Sequence, residues 1–167
     1  ASIAALPSHG FVNTHPSLLP HNRGKHFSFW ALVEQAPFGV SLHYVTTKID
    51  AGDIIAQLPI RYDWSDTGGS LYSKAQTRMI ELFRSTYPSL RSNSISAHRQ
   101  ELSAGSFHRS DEIFKASEIQ LNEQYSARSL LNLLRAKMFD GKAGCTFRED
   151  GIEYEVFVTI SKVEDTS

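Results

Sequence analysis

Cysteine is almost absent from this chain, since Cys145 is the single one among 167 residues. One cysteine excludes an internal disulfide framework and is typical of a protein in a reducing compartment. No apolar run in the sequence approaches the roughly 18 residues that indicate a membrane-spanning helix. The opening stretch ASIAAL is short and lacks the basic start of a signal peptide. We therefore expect a cytoplasmic protein without a membrane partner.

A charge excess of either sign is also missing. The chain has 17 Lys and Arg against 18 Asp and Glu, which gives a formal net charge of −1. Such a balance provides no electrostatic attraction for nucleic acid or for an anionic membrane. Apolar residues make up 41% and charged residues 21% of the chain, as in ordinary globular proteins. The composition therefore predicts a globular protein that does not bind nucleic acid.

Two parts of the chain differ in their secondary-structure patterns. Apolar periodicity predicts strands at 11–14, 39–46 and 54–62 and helices at 26–35 and 69–90, the 39–46 strand half-buried and the second helix kinked or ended by Pro88. Further on, Ser126 is a plausible N-cap for a helix at 126–139, and Asp150-Gly151 indicates a hairpin. We therefore expect an α/β core at 1–92, a connection or irregular hairpin at 93–110, and a small α+β subdomain at 111–167.

Histidine is concentrated near the start of the chain. Five of the seven histidines fall in the first 43 residues, namely His9, His15, His21, His26 and His43. This clustering raises the hypothesis of a zinc site, but the spacings HxxxH and HExxH are missing and no cysteine lies nearby. We therefore expect no metal site, and we expect His9 and His21 to be loop or surface residues.

Asn13 and His15 are two residues apart in the first predicted strand. Residues with that spacing point to the same side of a strand. Ligands of open α/β sheets bind at the carboxyl ends of the strands, where this pair would lie. The amide and the imidazole could therefore be catalytic, or they could satisfy the backbone of the proline-containing loop that follows.

Three other residues have both a structural and a functional interpretation. Asp50 could cap the turn that contains Gly52, or it could orient His15 and raise its basicity. Ser17 could be a nucleophile, but no G-x-S-x-G motif surrounds it, which favours a role in capping the loop. Arg23 beside Gly24 could bind an anion such as a diphosphate, or it could form a surface ion pair.

Taken together, NTHPSLLPHNRG and GVSLHYVTTKIDAGDIIAQ resemble the formyltransferase family that uses 10-formyltetrahydrofolate. The two-part pattern N-x-H-x-S-L-L-P and G-V-[ST]-x-H followed by D-x-G-D is specific, and the match is densest over residues 11–60. LPHNRGKHFSFWALVEQAPFGVSLHYV, DTGGSLYSKA and LLRAKMF are most similar to the sugar N-formyltransferase branch. The resemblance implies the C-terminal part of a Rossmann-like formyltransferase domain, followed by a small α+β appendage with a helix and a hairpin.

The resemblance also implies roles for the matching residues. Asn13, His15 and Asp50 match the catalytic residues of the family. The formyl donor, 10-formyltetrahydrofolate, would contact Thr47, Lys48, Ile49 and Asp50. The acceptor would be the amine of a nucleotide-linked amino-deoxysugar destined for surface polysaccharide, in contact with Ser17, Asn22, Arg23, Gly24, Trp30 and His43. The resemblance implies no metal ion, and it implies a homodimer as the possible assembly.

Three readings of the resemblance stay open. Members of the family carry a longer segment before the Asn-x-His strand, whereas this chain begins with Ala, 12 residues before Asn13. A truncated or partial chain is therefore implied, with an exposed strand edge. The chain could be an active sugar N-formyltransferase, or a glycinamide ribonucleotide or methionyl-tRNA formyltransferase, although the methionyl-tRNA branch has a larger C-terminal domain. It could also be a non-catalytic remnant.

Overall fold

The elements of the fold are given by a computed structural model that describes residue 7 and residues 10–163. The stretch ASIAAL and His9 lie outside the described residues. The strands are β1 (Val12–His15), β2 (Arg23–Gly24), β3 (Gly39–Tyr44), β4 (Ile54–Pro59), β5 (Phe107–His108), β6 (Cys145–Glu149) and β7 (Ile152–Val156). The helices are α1 (Phe27–Val33), α2 (Gly68–Arg91), α3 (Glu112–Ala116) and α4 (Ala127–Lys137), with a 3-10 turn at Leu102–Ala104.

An antiparallel sheet in the order β1-β3-β4 lies at the centre of the described residues. The alternating sequence of β3 predicts a half-buried strand, and this prediction is wrong, because the strand is buried from Gly39 to His43. Val40 and Leu42 belong to the hydrophobic core. On the other face, Ser41 donates a hydrogen bond to the carbonyl of Ser17 at 2.8 Å, so its hydroxyl is satisfied without water. The alternating apolar and polar residues of β3 therefore lie on two faces that are both buried, one packed in the core and one hydrogen-bonded.

Helix α2 covers the apolar face of this sheet through Leu71, Ala75 and Leu82. Thr67 caps its start, since the Thr67 side chain accepts a hydrogen bond from the Ser70 amide in a capping box. Pro88 does not end the helix, which continues to Arg91. A proline removes one backbone donor, and near the end of a long helix that loss does not stop the last turn.

The C-terminal elements follow the sequence prediction closely. Ser126 caps α4, since its hydroxyl accepts a hydrogen bond from the Ser129 amide at 3.0 Å. Strands β6 and β7 form an antiparallel hairpin in which Asp150 and Gly151 both have positive φ, as a type I′ turn requires.

One hydrophobic core includes residues from both parts of the chain. Leu133 and Ala136 of α4 and Cys145 of β6 belong to the same core cluster as Phe29 and Leu32 of α1. The packing of the core therefore does not separate the predicted domains at 1–92 and 111–167 from each other. The division into 1–92, 93–110 and 111–167 stays a prediction.

The connection at 93–110 contains no hairpin. Instead β5 pairs in parallel with β2, with Arg23 opposite Phe107 and Gly24 opposite His108. The pairing brings the connection back to the loop that follows β1. Residues from two distant parts of the sequence therefore meet beside His15.

Candidate active site

Strand pairing assembles the first part of the candidate site. Asn13 in β1 lies opposite His43 in β3, and His15 follows on the same face of β1. Asn13 Nδ2 donates to His43 Nε2 at 3.3 Å when His43 carries its proton on Nδ1, which lies 2.9 Å from the Tyr44 carbonyl. One hydrogen of the Asn13 amide is therefore bound to His43, and the other has no partner among the described residues.

Asp50 completes the cluster from the turn after β3. Its Oδ2 lies 3.4 Å from His15 Nδ1 and accepts a hydrogen bond from the Gly24 amide at 2.9 Å. Its Oδ1 lies 3.7 Å from His43 Nε2. The structure thus brings Asn13, His15 and Asp50 together around His43, as the sequence motif predicts for interacting groups.

His15 is buried and has an acceptor at each ring nitrogen. Nδ1 faces Asp50, and Nε2 lies 3.3 Å from the carbonyl of Asn22. Desolvation lowers the pKa of His15 below its ordinary value of 6.5, although Asp50 and the Asn22 carbonyl both raise it. The nearby charges of His43 and Lys25 lower it further. The free site therefore holds a neutral imidazole at pH 7, which can donate to only one of these two acceptors. With its proton on Nδ1, facing Asp50, the ring leaves Nε2 able to accept a proton.

A cavity of about 620 Å³ opens beside these groups. The predicted residues that line it are Asn13, His15, Gly24, Ile49 and Asp50. Ile49 is 61% exposed and offers apolar surface at the rim. The rest of the wall comes from residues that no sequence pattern predicts, namely Lys25, Phe107, His108, Arg109, Ser110 and Asp111.

The unpredicted wall of the cavity combines an aromatic ring with cations. Phe107 is 41% exposed, and the guanidinium of Arg23 lies 5.9 Å from its ring centroid. Lys25 and Arg109 line the same opening. Only the pairing of β5 with β2 brings this wall to His15, and two-residue strands leave no periodicity in a sequence.

Several predicted substrate-binding residues do not reach the cavity. Ser17 is fully buried, and its hydroxyl donates to the carbonyl of His21 at 2.7 Å. Asn22 is also fully buried, and its amide donates to Glu34 at 2.8 Å. These two side chains hold the loop after β1 and do not line the cavity, so their contact with the substrate stays a prediction. The loop-capping alternative for Ser17 fits the structure.

The remaining predicted residues lie around the site without lining the cavity. Trp30 stacks on His108, with ring centroids 3.8 Å apart and planes 8° from parallel. His43 is buried behind Asn13 and contacts Asp50. Thr47 and Lys48 are exposed on the loop that precedes Asp50. We therefore expect Trp30 and His43 to act through their neighbours.

Two carboxylates contact His108 of β5 and so stabilise the β2–β5 pair. His108 Nε2 lies 2.6 Å from Glu34, and Nδ1 lies 3.1 Å from Glu112. Glu34 also accepts hydrogen bonds from Asn22 and Ser106. This network fixes the loop that presents the Gly24 amide to Asp50, and nothing in the sequence signals it.

Within the described part of the chain, no three His, Cys, Asp or Glu side chains are placed to share a metal ion. No helix of that part is both long and apolar enough to cross a membrane.

Comparison with protein families gives two matches. The family model described as Formyl transferase matches residues 1–86, and that of the N-formyltransferase dimerization C-terminal domain matches residues 112–162. Among curated relatives, the chain is 30% identical over 135 residues to a methionyl-tRNA formyltransferase of Listeria welshimeri. That alignment covers 80% of this chain and 42% of the relative, so the chain spans about two fifths of the relative's length.

Solved structures give the same result for the fold. A 4-N formyltransferase from Francisella tularensis is similar with a TM-score of 0.85 and 25% identity, over 91% of this chain and 63% of that one. A formyltransferase from Anoxybacillus kamchatkensis, solved with UDP-4,6-dideoxy-4-formamido-L-AltNAc and tetrahydrofolate, has a TM-score of 0.61 and 30% identity. This alignment covers 65% of the present chain and 57% of the Anoxybacillus chain. These likenesses confirm the predicted Rossmann-like formyltransferase fold.

Proposed function

Since the chain belongs to the formyl transferase family, we propose that it transfers a formyl group from 10-formyltetrahydrofolate to the amine of a nucleotide-linked amino-deoxysugar. The observation that carries the proposal is the contact of Asp50 with His15 at the wall of a cavity that Asn13 also lines. The ligands of the Anoxybacillus relative support both substrate classes. The product would enter surface polysaccharide, and the reaction would take place in the cytoplasm.

Neutral His15 is suited to moving the proton of this reaction. The donor supplies a formyl carbon and a departing nitrogen. As the sugar amine forms its bond to that carbon, His15 accepts the proton that the amine loses and passes it to the departing nitrogen when the old carbon–nitrogen bond breaks. The contact of Nε2 with the Asn22 carbonyl is long at 3.3 Å, so a substrate could replace it.

Asn13 and Asp50 stabilise the charges that this proton transfer creates. The free hydrogen of Asn13 Nδ2 can bind an oxygen that gains negative charge, since the other hydrogen faces His43. Asp50 stabilises the imidazolium that His15 becomes. The Gly24 amide holds one oxygen of the Asp50 carboxylate at 2.9 Å, and the same oxygen faces His15 Nδ1 at 3.4 Å.

The walls of the cavity fit the two substrates in different ways. The apolar side chain of Ile49 and the exposed loop of Thr47 and Lys48 suit the flat ring system of a folate. Across the opening, Lys25 and Arg109 suit a diphosphate, and the exposed face of Phe107 suits a nucleobase. We therefore assign the folate to the Asp50 side and the nucleotide to the β5 side.

Two other functions compete with this one. The curated relatives favour transfer to methionyl-tRNA, whereas the net charge of −1 and the match to an N-formyltransferase C-terminal domain favour a nucleotide sugar. A non-catalytic remnant would lack folate binding. Fluorescence titration of the isolated chain with a tetrahydrofolate would therefore separate the remnant from both enzymes.

A second copy of the chain is the partner that we propose. The matched dimerization domain spans residues 112–162. It includes the apolar residues Ile152, Tyr154 and Phe157, which are 54%, 43% and 60% exposed. Strand β7 pairs only with β6 among the described residues, so its outer edge is free to join a partner.

The acceptor can be identified by product mass. The chain would be incubated with 10-formyltetrahydrofolate and a panel of nucleotide-linked 3-amino and 4-amino 6-deoxysugars, with initiator methionyl-tRNA as the competing acceptor. The same nucleotide sugars with a hydroxyl in place of the amine are the matched controls. We expect a formamide product from one amino sugar and none from the hydroxyl analogues. Formylation of methionyl-tRNA alone would contradict the proposed acceptor.

A version extended at the amino terminus, as the family resemblance implies, would be assayed beside the 167-residue chain. Activity in both would mean that the described site is self-sufficient. Activity only in the extended version would place part of the substrate-binding surface in the added segment.

A further inference from the structure

The turn that carries Asp50 is held in an unfavourable backbone conformation. Asp50 has a φ of +49°, in the left-handed region that few residues with a Cβ adopt, although Asp does so more readily than most. Gly52 lies so close to β3 that a Cβ would fall 1.8 Å from the carbonyl of Tyr44. Such a conformation persists only where the surroundings enforce it.

Gln100 supplies the contacts that enforce this conformation. Its Nε2 donates to the carbonyl of Asp50 at 3.0 Å and to the carbonyl of Gly52 at 2.6 Å. The residue is 6% exposed, so water does not compete for these carbonyls. The backbone of neighbouring His98 pairs with Ile54 at the start of β4, which fixes the place of Gln100 on the other side of the turn.

The geometry points to Gln100 as a positioning residue for the reaction, which acts on His15 by holding the turn that aims the carboxylate of Asp50. This inference rests on the proposed function, since it takes Asp50 and His15 as reacting partners. Nothing in the sequence pattern singles out Gln100, which lies 50 residues after Asp50.

A purely structural role explains the contacts of Gln100 less well. Its Oε1 is buried and has no hydrogen-bond partner among the described residues. The orientation of the side chain is therefore set by its amide nitrogen and not by its oxygen. Both amide hydrogens, by contrast, are used on the two carbonyls that flank the turn.

The titration of His15 tests this inference without any activity measurement. Asp50 raises the pKa of His15, while His43 and Lys25 lower it. NMR titration of the His15 ring would be compared in the wild type, Gln100→Met and Asp50→Asn. We expect the pKa of His15 to fall in Gln100→Met, toward the value found in Asp50→Asn. An unchanged pKa would overturn the inference.

Gln57→Met is the matched control for this titration. The Nε2 of Gln57 also donates twice, to the Leu19 carbonyl and to Ser41, each at 2.8 Å, but it touches neither Asp50 nor His15. The control should lose stability and leave the pKa of His15 in place. An equal shift of the His15 pKa in Gln57→Met would mean that Gln100→Met acts through a general loss of stability, which would overturn the inference. If Gln100→Met does not fold, the shorter Gln100→Asn takes its place.

A double-substitution cycle then asks whether Gln100 acts through Asp50. We expect Gln100→Met to lower kcat roughly 10-fold in the wild type but less than about 3-fold in the Asp50→Asn background. Equal losses in both backgrounds would contradict the positioning role. Absence of formyl transfer in both the wild type and its extended version would instead reject the proposed function, while the NMR result on Gln100 would stand by itself.

Discussion

Burial decides the charge of His15 more than its carboxylate neighbour does. The ring is 5% exposed, and desolvation lowers its pKa despite the Asp50 contact at 3.4 Å. A lysine or a second buried cation in its place would face the same penalty. In the proposed reaction, His15 would therefore be a base that is neutral at rest, and Asp50 would stabilise its charged form.

This lowered pKa predicts a loss of stability in mild acid. Below about 6.5, the ordinary value, the unfolded chain binds a proton at His15 that the folded chain still refuses. The free energy of unfolding should therefore fall as the pH drops from above 6.5 through the lowered pKa, and this contribution should then level off. The measurement is urea unfolding at a series of pH values.

His15→Gln is the control for that pH series, because other histidines titrate in the same range. The difference between wild type and His15→Gln isolates the ring of His15. A difference that is constant from neutral pH down to about pH 5, near the lower end of the range in which histidines titrate, would contradict the lowered pKa.

The sequence motif points to three residues that the structure brings together, Asn13, His15 and Asp50, but not to the groups that hold them. Asn13 and His15 share a face because they are two apart on a strand, and Asp50 belongs to a motif with fixed spacing. Phe107 reaches the site through the pairing of β2 with β5, and Gln100 through the pairing of His98 with Ile54. Two-residue strands carry no periodic signal, so this contact could not be predicted.

The pairing of β2 with β5 depends on a glycine. Gly24 has a φ of +91°, and a Cβ there would lie 2.2 Å from the carbonyl of His108. We expect Gly24→Ala to lower the free energy of unfolding by roughly 3 kcal/mol or more, from backbone strain together with the clash. It should also weaken formyl transfer, because the Gly24 amide that binds Asp50 must move.

Gly141→Ala is the matched control for Gly24→Ala. Its φ of +66° imposes similar backbone strain, but nothing lies within 4 Å of the added Cβ. Chemical denaturation should therefore show a loss of only about 1 kcal/mol, with unchanged activity. Equal losses for the two variants would mean that β2 and β5 are not in close contact.

Helix α4 is joined to the catalytic part of the fold by a buried arginine. Arg135 Nη1 donates to the carbonyls of Asp63 and Asp66 at 2.5 and 3.0 Å, and its guanidinium lies 4.7 Å from the Trp64 ring centroid. We expect Arg135→Met to lower the free energy of unfolding by about 2 to 4 kcal/mol, because both carbonyls lose their donor.

Arg128 provides the comparison, since its guanidinium also lies over Trp64, at 5.1 Å, but is exposed. Arg128→Met should cost about 1 kcal/mol or less in the same denaturation experiment. If the two substitutions have equal effects, the carbonyl contacts of Arg135 contribute nothing, and the stacking on Trp64 accounts for both.

The C-terminal elements were predictable because that part of the chain carries strong local signals. The hairpin at Asp150-Gly151 and the cap at Ser126 were found where the sequence places them. The extent of burial was not predictable, because β3 looks half-exposed in sequence and is buried by groups from both sides. Polar residues such as Ser41 satisfy one another in the interior, which hydropathy alone does not reveal.

Association of two chains can be tested at the exposed hairpin. We expect the chain to sediment as a dimer in analytical ultracentrifugation, and Phe157→Glu to shift it toward the monomer, because burial of a charge at a dimer contact is costly. Ile80→Glu on α2 is the control, since Ile80 is 55% exposed but lies outside the matched dimerization domain. A dimer that persists in Phe157→Glu and dissociates in Ile80→Glu would place the contact on α2.

Formyl transfer by the wild type, His15→Asn and Asp50→Asn is the measurement that we would make first. Release of tetrahydrofolate would be followed with the best amino-sugar acceptor, and donor binding would be measured in parallel, with His98→Asn as an exposed control outside the cavity. We expect both site substitutions to lower kcat by roughly 10²- to 10⁴-fold while donor binding stays within a few-fold. Full turnover in His15→Asn, or an equal loss of binding and turnover in both variants, would contradict the assignment of His15 and Asp50 as the groups that carry out the reaction.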